Sequence, residues 1–204
     1  MPLYKKSEGA EYSIGVWKTE EGFDFFEPFF NGHPEIQNGQ KKLQWFASRH
    51  LANIMVGQPD IILKDETGKP NFKTAPLNIS LSHTQHFAAV ITSKKHAVGI
   101  DIETINPKVE KIAFKFLTEQ EIANVAATEK IEKLILYWSA KESLYKFYGW
   151  GGLEFKTQLL IEPFVLNQSG TLRADIITPH LPVKNLTIQY EFFEGHVLTN
   201  VAAL

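Results

Sequence analysis

The sequence predicts an α+β protein, because strand-like and helix-like segments follow one another in two successive groups. A long segment with the helical period occurs in each half of the 204-residue chain, at residues 36–56 and 129–148. Short runs rich in β-branched and aromatic residues accompany both of them. No low-complexity or linker-like segment separates the groups. We therefore expect two tightly packed α+β subdomains, residues 1–96 and 97–204, with their seam near residues 93–103.

The first half shows the patterns of strands, turns and one amphipathic helix. The predicted elements, in chain order, are a strand at 11–18, an aromatic loop at 23–30, a helix at 36–56, a turn at 64–70, and a strand pair at 77–82 and 87–92. Gly57 directly follows the helical pattern and is a suitable stop for the helix. The His83–His86 segment separates these two runs, which indicates a hairpin or a strand pair.

In the second half the spacing of the apolar residues changes from the two-residue period of a strand to the period of a helix. A strand at 96–103 is followed by Asn106 and Pro107, which fit a helix N-cap and first helical position. Thr118 and Glu121 fit a capping box that opens another short helix. The remaining predicted elements are the helix at 129–148, closed by Gly149, Gly151 and Gly152, and strands at 157–162, 185–193 and 196–202.

Composition excludes several classes of function. The net charge is -2, which argues against a nucleic-acid partner or a polybasic membrane surface. The chain has no Cys, which excludes a disulfide framework, a thiolate metal site and a Cys nucleophile. No apolar run of membrane-spanning length occurs. We expect a cytoplasmic protein that binds neither nucleic acid nor membrane.

Two short stretches carry most of the chemistry. The first, Val98-Gly-Ile-Asp-Ile-Glu103, reads as a strand, so Asp101 and Glu103 point to the same face. Carboxylate oxygens are the ligands that Mg²⁺ prefers, with water and phosphate completing its sphere. A zinc site fits less well, since there is no Cys and no convincing His cluster. The alternative is that these two carboxylates mark the return of a buried strand to solvent.

The second stretch, Trp138-Ser-Ala-Lys-Glu-Ser-Leu-Tyr-Lys146, reads as a helix. Glu142 falls on a stripe that is otherwise apolar, where an unpaired carboxylate is costly and needs a cation beside it. Trp138, Glu142 and Lys146 follow one another at i, i+4 on one face. The alternative for Glu142 is an ordinary ion pair with Lys146.

Three further segments contain candidate residues that justify no site individually. Lys69 and Pro70 follow a glycine in a turn, and Ser82 and His83 end a strand. Arg49 lies among apolar residues of the first long helix. The alternatives are a solvated turn lysine, an exposed loop histidine and a snorkelling arginine.

Taken together, these segments resemble the 4′-phosphopantetheinyl transferase superfamily. Its Val-Gly-Ile-Asp strand corresponds to Val98–Asp101, and its Trp/Phe-Ser-x-Lys-Glu-Ser/Ala-x-x-Lys helix corresponds to Trp138–Lys146. Gly68-Lys-Pro70 and Asn78-Ile-Ser-Leu-Ser-His83 resemble the coenzyme A-binding turn and strand of the longer members, of the surfactin-synthetase-activating and holo-acyl-carrier-protein-synthase-like type. The resemblance covers about residues 60–160. It departs at Gly149–Gly152, where many relatives carry a basic residue and this chain has Trp150.

The resemblance implies two similar α+β subdomains related by a pseudo-two-fold, and an enzyme that moves the 4′-phosphopantetheine arm of coenzyme A to a carrier-protein serine. It implies roles for residues at matching positions: Asp101, Glu103 and Glu142 as ligands of Mg²⁺, or alternatively Mn²⁺, and Glu142 and Lys146 as catalytic groups. It further implies coenzyme contacts from a larger set: Arg49, Lys69, Pro70, Ser82, His83, Asp101, Lys141 and Lys146.

The implied partners are coenzyme A as co-substrate and an apo acyl or peptidyl carrier protein, in fatty-acid or secondary-metabolite biosynthesis, with a monomeric enzyme. Phe114, Lys115 and Leu117 are candidates for carrier contact, with helix packing as the alternative. Two other functions stay open at this point: a metal-dependent phosphodiesterase or nuclease, and a relative that binds coenzyme A or a carrier without transfer.

Overall fold

The computed structural model describes residues 3–30, 32, 35–125, 128–179 and 182–203 and confirms the α+β class. The chain forms two compact units, of which one ends at Val98 and the other comprises Gly99–Ala203. The outermost positions of the predicted subdomains, 1 and 204, lie outside the described residues. None of the helices in the described ranges combines the length and apolarity that crossing a bilayer requires.

The first unit places one antiparallel sheet against a long helix. Its elements are β1 (Leu3–Glu8), β2 (Ser13–Lys18), α1 (Phe23–Phe26), α2 (Gly39–Val56), β3 (Ile62–Lys64), β4 (Pro70–Phe72), β5 (Asn78–His83) and β6 (Phe87–Ser93). The strand order is β1-β2-β6-β5-β4-β3, and helix α2 packs against β6, β2 and β5.

The predicted hairpin and helix stop of this unit are confirmed. Strands β5 and β6 pair antiparallel, from Asn78 opposite Ser93 to His83 opposite Ala88. Helix α2 is capped by the Asn38 side chain, which accepts a hydrogen bond from the Lys41 N–H, and it ends at Gly57 in the left-handed conformation. Both devices satisfy backbone groups that a helix end leaves unpaired.

The second unit combines a second antiparallel sheet with another long helix. Its elements are β7 (Ala97–Thr104), α3 (Ala113–Phe116), α4 (Glu119–Asn124), α5 (Lys130–Tyr148), α6 (Phe155–Gln158), β8 (Leu159–Ile161), β9 (Ser169–Ile176), β10 (Val183–Phe193) and β11 (His196–Ala203). The strand order is β7-β11-β10-β9-β8, and α5 packs against β11 and β8.

Strand β7 and helix α5 approach each other backbone to backbone at Gly99. A Cβ atom placed on Gly99 would lie 2.0 Å from the carbonyl oxygen of Ser143 and 2.7 Å from the amide nitrogen of Phe147. Only glycine permits such a close approach, which explains this residue in the Val-Gly-Ile-Asp stretch. The crossing fixes the two motif segments against each other.

Several details differ from the sequence-based expectations. The aromatic segment predicted as a loop forms α1 and a 3₁₀ turn at Glu27–Phe29. Strands β1, β3, β4 and β9 were not predicted. The Asn106 side chain caps a 3₁₀ turn at Pro107–Lys111, and the α-helix begins only at Ala113. The capping box at Thr118 and Glu121 is confirmed, with both reciprocal hydrogen bonds formed.

Candidate active site

Asp101 and Lys146 form the centre of the candidate site. The Lys146 Nζ donates to Asp101 Oδ1 at 2.7 Å and to the Ile100 carbonyl oxygen at 3.1 Å. The Asp101 side chain is only 4% exposed, whereas the Lys146 side chain is 26% exposed. Lys146 therefore reaches from helix α5 to strand β7, while part of its side chain stays exposed to solvent.

Glu103 is bound by the same helix two turns earlier. The Trp138 indole N–H donates to Glu103 Oε1 at 2.9 Å. Since Trp138 and Lys146 both lie on α5, the side chains of Asp101 and Glu103 both point from β7 towards that helix, as the strand alternation predicts. The interpretation of these two carboxylates as a mere strand end does not account for this convergence.

Glu142 lies between those two contacts on α5 and is half-buried. It makes no hydrogen bond or ion pair with any residue that the structure describes. The alternative of an ion pair with Lys146 is therefore wrong, because the Lys146 ammonium group turns to Asp101 instead. A half-buried carboxylate in this position has unused capacity to accept a proton or a cation.

The electrostatics of the site reflect crowded negative charge. Burial and the Asp101 charge raise the pKa of Glu103 to about 7, against the opposing effects of the Trp138 hydrogen bond and Lys146. Burial and Asp101 also raise the pKa of Glu142. One lysine does not balance three neighbouring carboxylates, so the site favours an additional proton or cation.

The donor set fits a magnesium ion, since three carboxylates offer hard oxygen ligands and Mg²⁺ uses few of them. In the described ranges, however, no group of three or more Asp, Glu or His side chains lies close enough to form a ready-made cage. Lys146 instead occupies Asp101 Oδ1. The residues thus have the chemistry of the predicted metal site without the converged geometry of a filled one.

Lys141 has an environment that does not suit its predicted contact with coenzyme. Its side chain is fully buried, and its Nζ donates to the Phe116 carbonyl (2.7 Å), Glu121 Oε2 (2.8 Å) and the Phe155 carbonyl (3.0 Å). An ammonium group has three donors, and all three are used inside the second unit. We therefore exclude Lys141 from the ligand-contacting residues.

The candidates of the first unit lie on neighbouring strands and on α2. Lys69 and Pro70 stand where the β3–β4 turn enters β4, which pairs with β5, and β5 ends in Ser82 and His83. The Lys69 amide donates to Asp65 Oδ1 at 3.0 Å, so the turn is fixed, while the Lys69 ammonium group has no partner among the described residues. Ser82 is buried and His83 is exposed.

Arg49 lies on α2 and lines a separate cavity of about 430 Å³ with Phe29, Phe30 and Trp45. Its guanidinium stacks on the Trp45 ring at 4.6 Å, and burial lowers the pKa of Arg49 to about 10. The side chain is half-buried, as a snorkelling arginine would be. Its predicted contact with coenzyme stays a prediction.

The three candidates for carrier contact differ in their exposure to solvent. Phe114 is 61% exposed and Lys115 is exposed, whereas Leu117 is fully buried and serves helix packing.

Sequence reasoning missed the partner of Lys141. The capping box drew attention to Glu121, but nothing in the local pattern reveals that its carboxylate also binds a lysine twenty residues away.

Comparison with known proteins matches both motif segments to one family. A family model described as the 4′-phosphopantetheinyl transferase superfamily matches residues 97–198, which include both motif segments. The 4′-phosphopantetheinyl transferase AcpT of Escherichia coli K12 is 24% identical over 160 residues, covering 76% of this chain and 77% of the relative.

Two further relatives carry the same description. AcpT of Salmonella typhimurium is 28% identical over 155 residues, covering 71% of this chain and 81% of its own. The 4′-phosphopantetheinyl transferase gsp of Aneurinibacillus migulanus is 34% identical over 91 residues, covering 43% and 38%. Because the family model spans half of the chain and contains both motifs, the protein belongs to the 4′-phosphopantetheinyl transferase superfamily.

Proposed function

We propose that this enzyme transfers the 4′-phosphopantetheine arm of coenzyme A to a serine of an apo acyl or peptidyl carrier protein and releases adenosine 3′,5′-bisphosphate. The observation that supports this most is that Asp101, Glu103, Glu142 and Lys146 lie near enough, where β7 meets α5, for their charges to shift the pKa values of Glu103 and Glu142. Coenzyme A and carrier proteins occur in the cytoplasm, and we propose the same location for the enzyme.

Asp101, Glu103 and Glu142 would hold the Mg²⁺ ion. When bound, it neutralises negative charge on the pyrophosphate of coenzyme A. The crowding of carboxylates beside one lysine supports this assignment, since the charge imbalance favours a cation.

Glu142 is the proposed general base. The serine hydroxyl gives its proton to the Glu142 carboxylate while the serine oxygen forms a bond to the β-phosphorus. The bond from that phosphorus to the oxygen bridging the two phosphates breaks, and its electron pair leaves with adenosine 3′,5′-bisphosphate. The raised pKa of Glu142 supports this role, because a base with a higher pKa accepts a proton more readily at neutral pH.

Lys146 is the proposed donor to phosphate oxygens. Its ammonium group already lies beside the carboxylates, and two of its three donors are used by Asp101 and the Ile100 carbonyl, which leaves one for an anion. In the first unit, we propose that Lys69, Pro70, Ser82, His83 and Arg49 contact coenzyme A. The Lys69 ammonium group, which has no partner in the described part of the chain, is the best supported of these.

The decisive experiment incubates the protein with coenzyme A, Mg²⁺ and several apo carrier proteins, followed by intact mass measurement. We expect at least one carrier to gain a phosphopantetheine arm. Coenzyme A binding without modification of any carrier would favour a non-catalytic relative, and cleavage of DNA or RNA would favour the phosphodiesterase alternative.

Replacement of Glu142 tests the assignment of the base. We expect Glu142→Gln to lower the transfer rate by about 10²–10⁴-fold, because general-base catalysis contributes that much. Its circular dichroism and melting temperature should match those of the wild type. Glu132→Gln, on the same helix but outside the site, is the matched control and should transfer normally. Near-wild-type transfer by Glu142→Gln would remove Glu142 from the mechanism.

A further inference from the structure

The buried ammonium group of Lys141 connects three separate segments to helix α5. Its acceptors are the last residue of α3, Phe116, the α4 residue Glu121, and the first residue of α6, Phe155. Glu121 is itself fully engaged, because Oε2 also accepts from the Thr118 amide at 2.8 Å and Oε1 accepts from the Ile161 amide at 3.1 Å. The pair is therefore a closed network with no donor left for a ligand.

Two of these acceptors belong to the residues that enclose Trp138. The Phe116 ring lies edge-on to the Trp138 ring with centroids 5.1 Å apart, and the Phe155 ring lies tilted against it at 5.5 Å. Trp138 in turn donates to Glu103 Oε1 at 2.9 Å. A chain of direct contacts thus runs from the Lys141 ammonium group, through the two phenylalanines, to a carboxylate of the candidate site.

The charged pair has no evident advantage for stability alone. Burying two ions is costly, and apolar residues of similar volume often stabilise such a position equally well. An apolar side chain, however, cannot donate to the carbonyls of Phe116 and Phe155. The Phe116 carbonyl lies at the end of a helix, where a carbonyl has no partner from within the helix. The lysine supplies that donor and fixes where the two rings stand.

We propose that Lys141 and Glu121 are positioning residues that orient Trp138, and through it the Glu103 carboxylate, for the phosphopantetheine transfer. This inference rests on the proposed function. Neither residue touches substrate, since the Lys141 side chain is fully buried and that of Glu121 is only 4% exposed. Their effect on the reaction is carried by the orientation of the Trp138 indole.

The test uses two double variants, because Lys141→Met alone leaves a buried charge on Glu121 and risks misfolding. Lys141→Met with Glu121→Gln removes both charges. Lys141→Glu with Glu121→Lys retains an ion pair but removes the donor to the two carbonyls and the acceptor of the Thr118 and Ile161 amides. The readouts are kcat, KM for coenzyme A, and the ¹H–¹⁵N signal of the Trp138 indole, assigned with Trp138→Phe. Ile188→Val, in the buried core of β10, is the control for a small loss of stability.

We expect both double variants to fold and to lower kcat on the order of 10²-fold, because a small misplacement of a reacting group has that effect. KM for coenzyme A should stay unchanged, and the indole signal should shift. Ile188→Val should alter neither readout. Wild-type kcat in either double variant, or an unchanged indole signal, would overturn the proposal. If the wild type transfers nothing, the proposed function fails, and the indole signal alone decides whether the pair positions Trp138.

Discussion

Two lysine–carboxylate pairs on helix α5 stand in opposite environments. Lys141 and Glu121 are both buried, and every donor and acceptor oxygen in the pair has a partner within the fold. Lys146 and Asp101 form an equally short bond, but the lysine is partly exposed and two further carboxylates stand beside the pair. The comparison shows that the two pairs differ in the completeness of their bonding rather than in the presence of a buried charge, and we propose that this difference separates a structural pair from one that can bind a ligand.

The stability of the two pairs gives the largest expected difference. Lys141→Met should lower the free energy of unfolding by about 3–5 kcal/mol, because it leaves a buried carboxylate without its cation. Lys146→Met should lower it by about 1 kcal/mol, since the carboxylates of the site can take up a proton instead. Urea unfolding measures both values.

The effect of Mg²⁺ on the melting temperature is a second way to compare the two pairs. Added Mg²⁺ should raise the melting temperature of Lys146→Met, because a bound cation replaces the lost charge and stabilises the folded state. It should raise the melting temperature of Lys141→Met only as much as that of the wild type, because that variant keeps both the carboxylates and Lys146. Equal losses of stability in the two variants, or equal rescue by the ion, would remove the distinction between the pairs.

Gly99→Ala tests the backbone crossing of β7 and α5, which brings Asp101 and Lys146 together. The added methyl group would meet the Ser143 carbonyl at 2.0 Å, so strand and helix must separate. We expect the free energy of unfolding to fall by about 1–3 kcal/mol, as for other overpacked positions, together with loss of transfer. Gly195→Ala tests backbone strain without a close contact, since its φ is +71° and nothing lies within 4 Å. It should retain transfer at a temperature where it is folded.

The pH dependence of stability gives the smallest expected effect. Glu103 has an ordinary pKa of 4.5 and a pKa of about 7 in the folded protein. Between these values the folded state holds a proton that the unfolded state has released, so the stabilisation from protonated Glu103 is complete below pH 4.5 and is lost as the pH rises through 7. In chelator, Glu103→Gln should therefore show a shallower fall of melting temperature from pH 5 to 8 than the wild type. Glu119→Gln, an exposed carboxylate, should follow the wild type.

Much of the fold follows from local patterns in the sequence. Alternation placed Asp101 and Glu103 on one face of β7, and helical spacing placed Trp138, Glu142 and Lys146 along one face of α5. Caps and stops such as Gly57 and the Thr118 capping box are confirmed because their hydrogen bonds involve residues within a few positions. The short strands β3 and β4 were missed, since three residues are too few to display a period.

Long-range partners could not be predicted in the same way. The i, i+4 spacing suggested that Lys146 pairs with Glu142, but the crossing at Gly99 brings Asp101 within its reach. Lys141 was assigned to coenzyme only through its place beside Glu142 in the motif that resembles the family's. Only the packing of α3, α4 and α6 around α5 reveals that its donors are already used.

The contact at Gly99 also affects how far the connections of the second unit can change in length. Since two backbones touch there, the separation of the motif segments does not depend on the length of the chain that joins them. The connection between α4 and α5 should therefore accept inserted residues, or even a break, provided that both segments are present. Two fragments divided at that connection should reassemble into a protein with the strand and helix in register, which offers a route to an enzyme that can be switched on by mixing its parts.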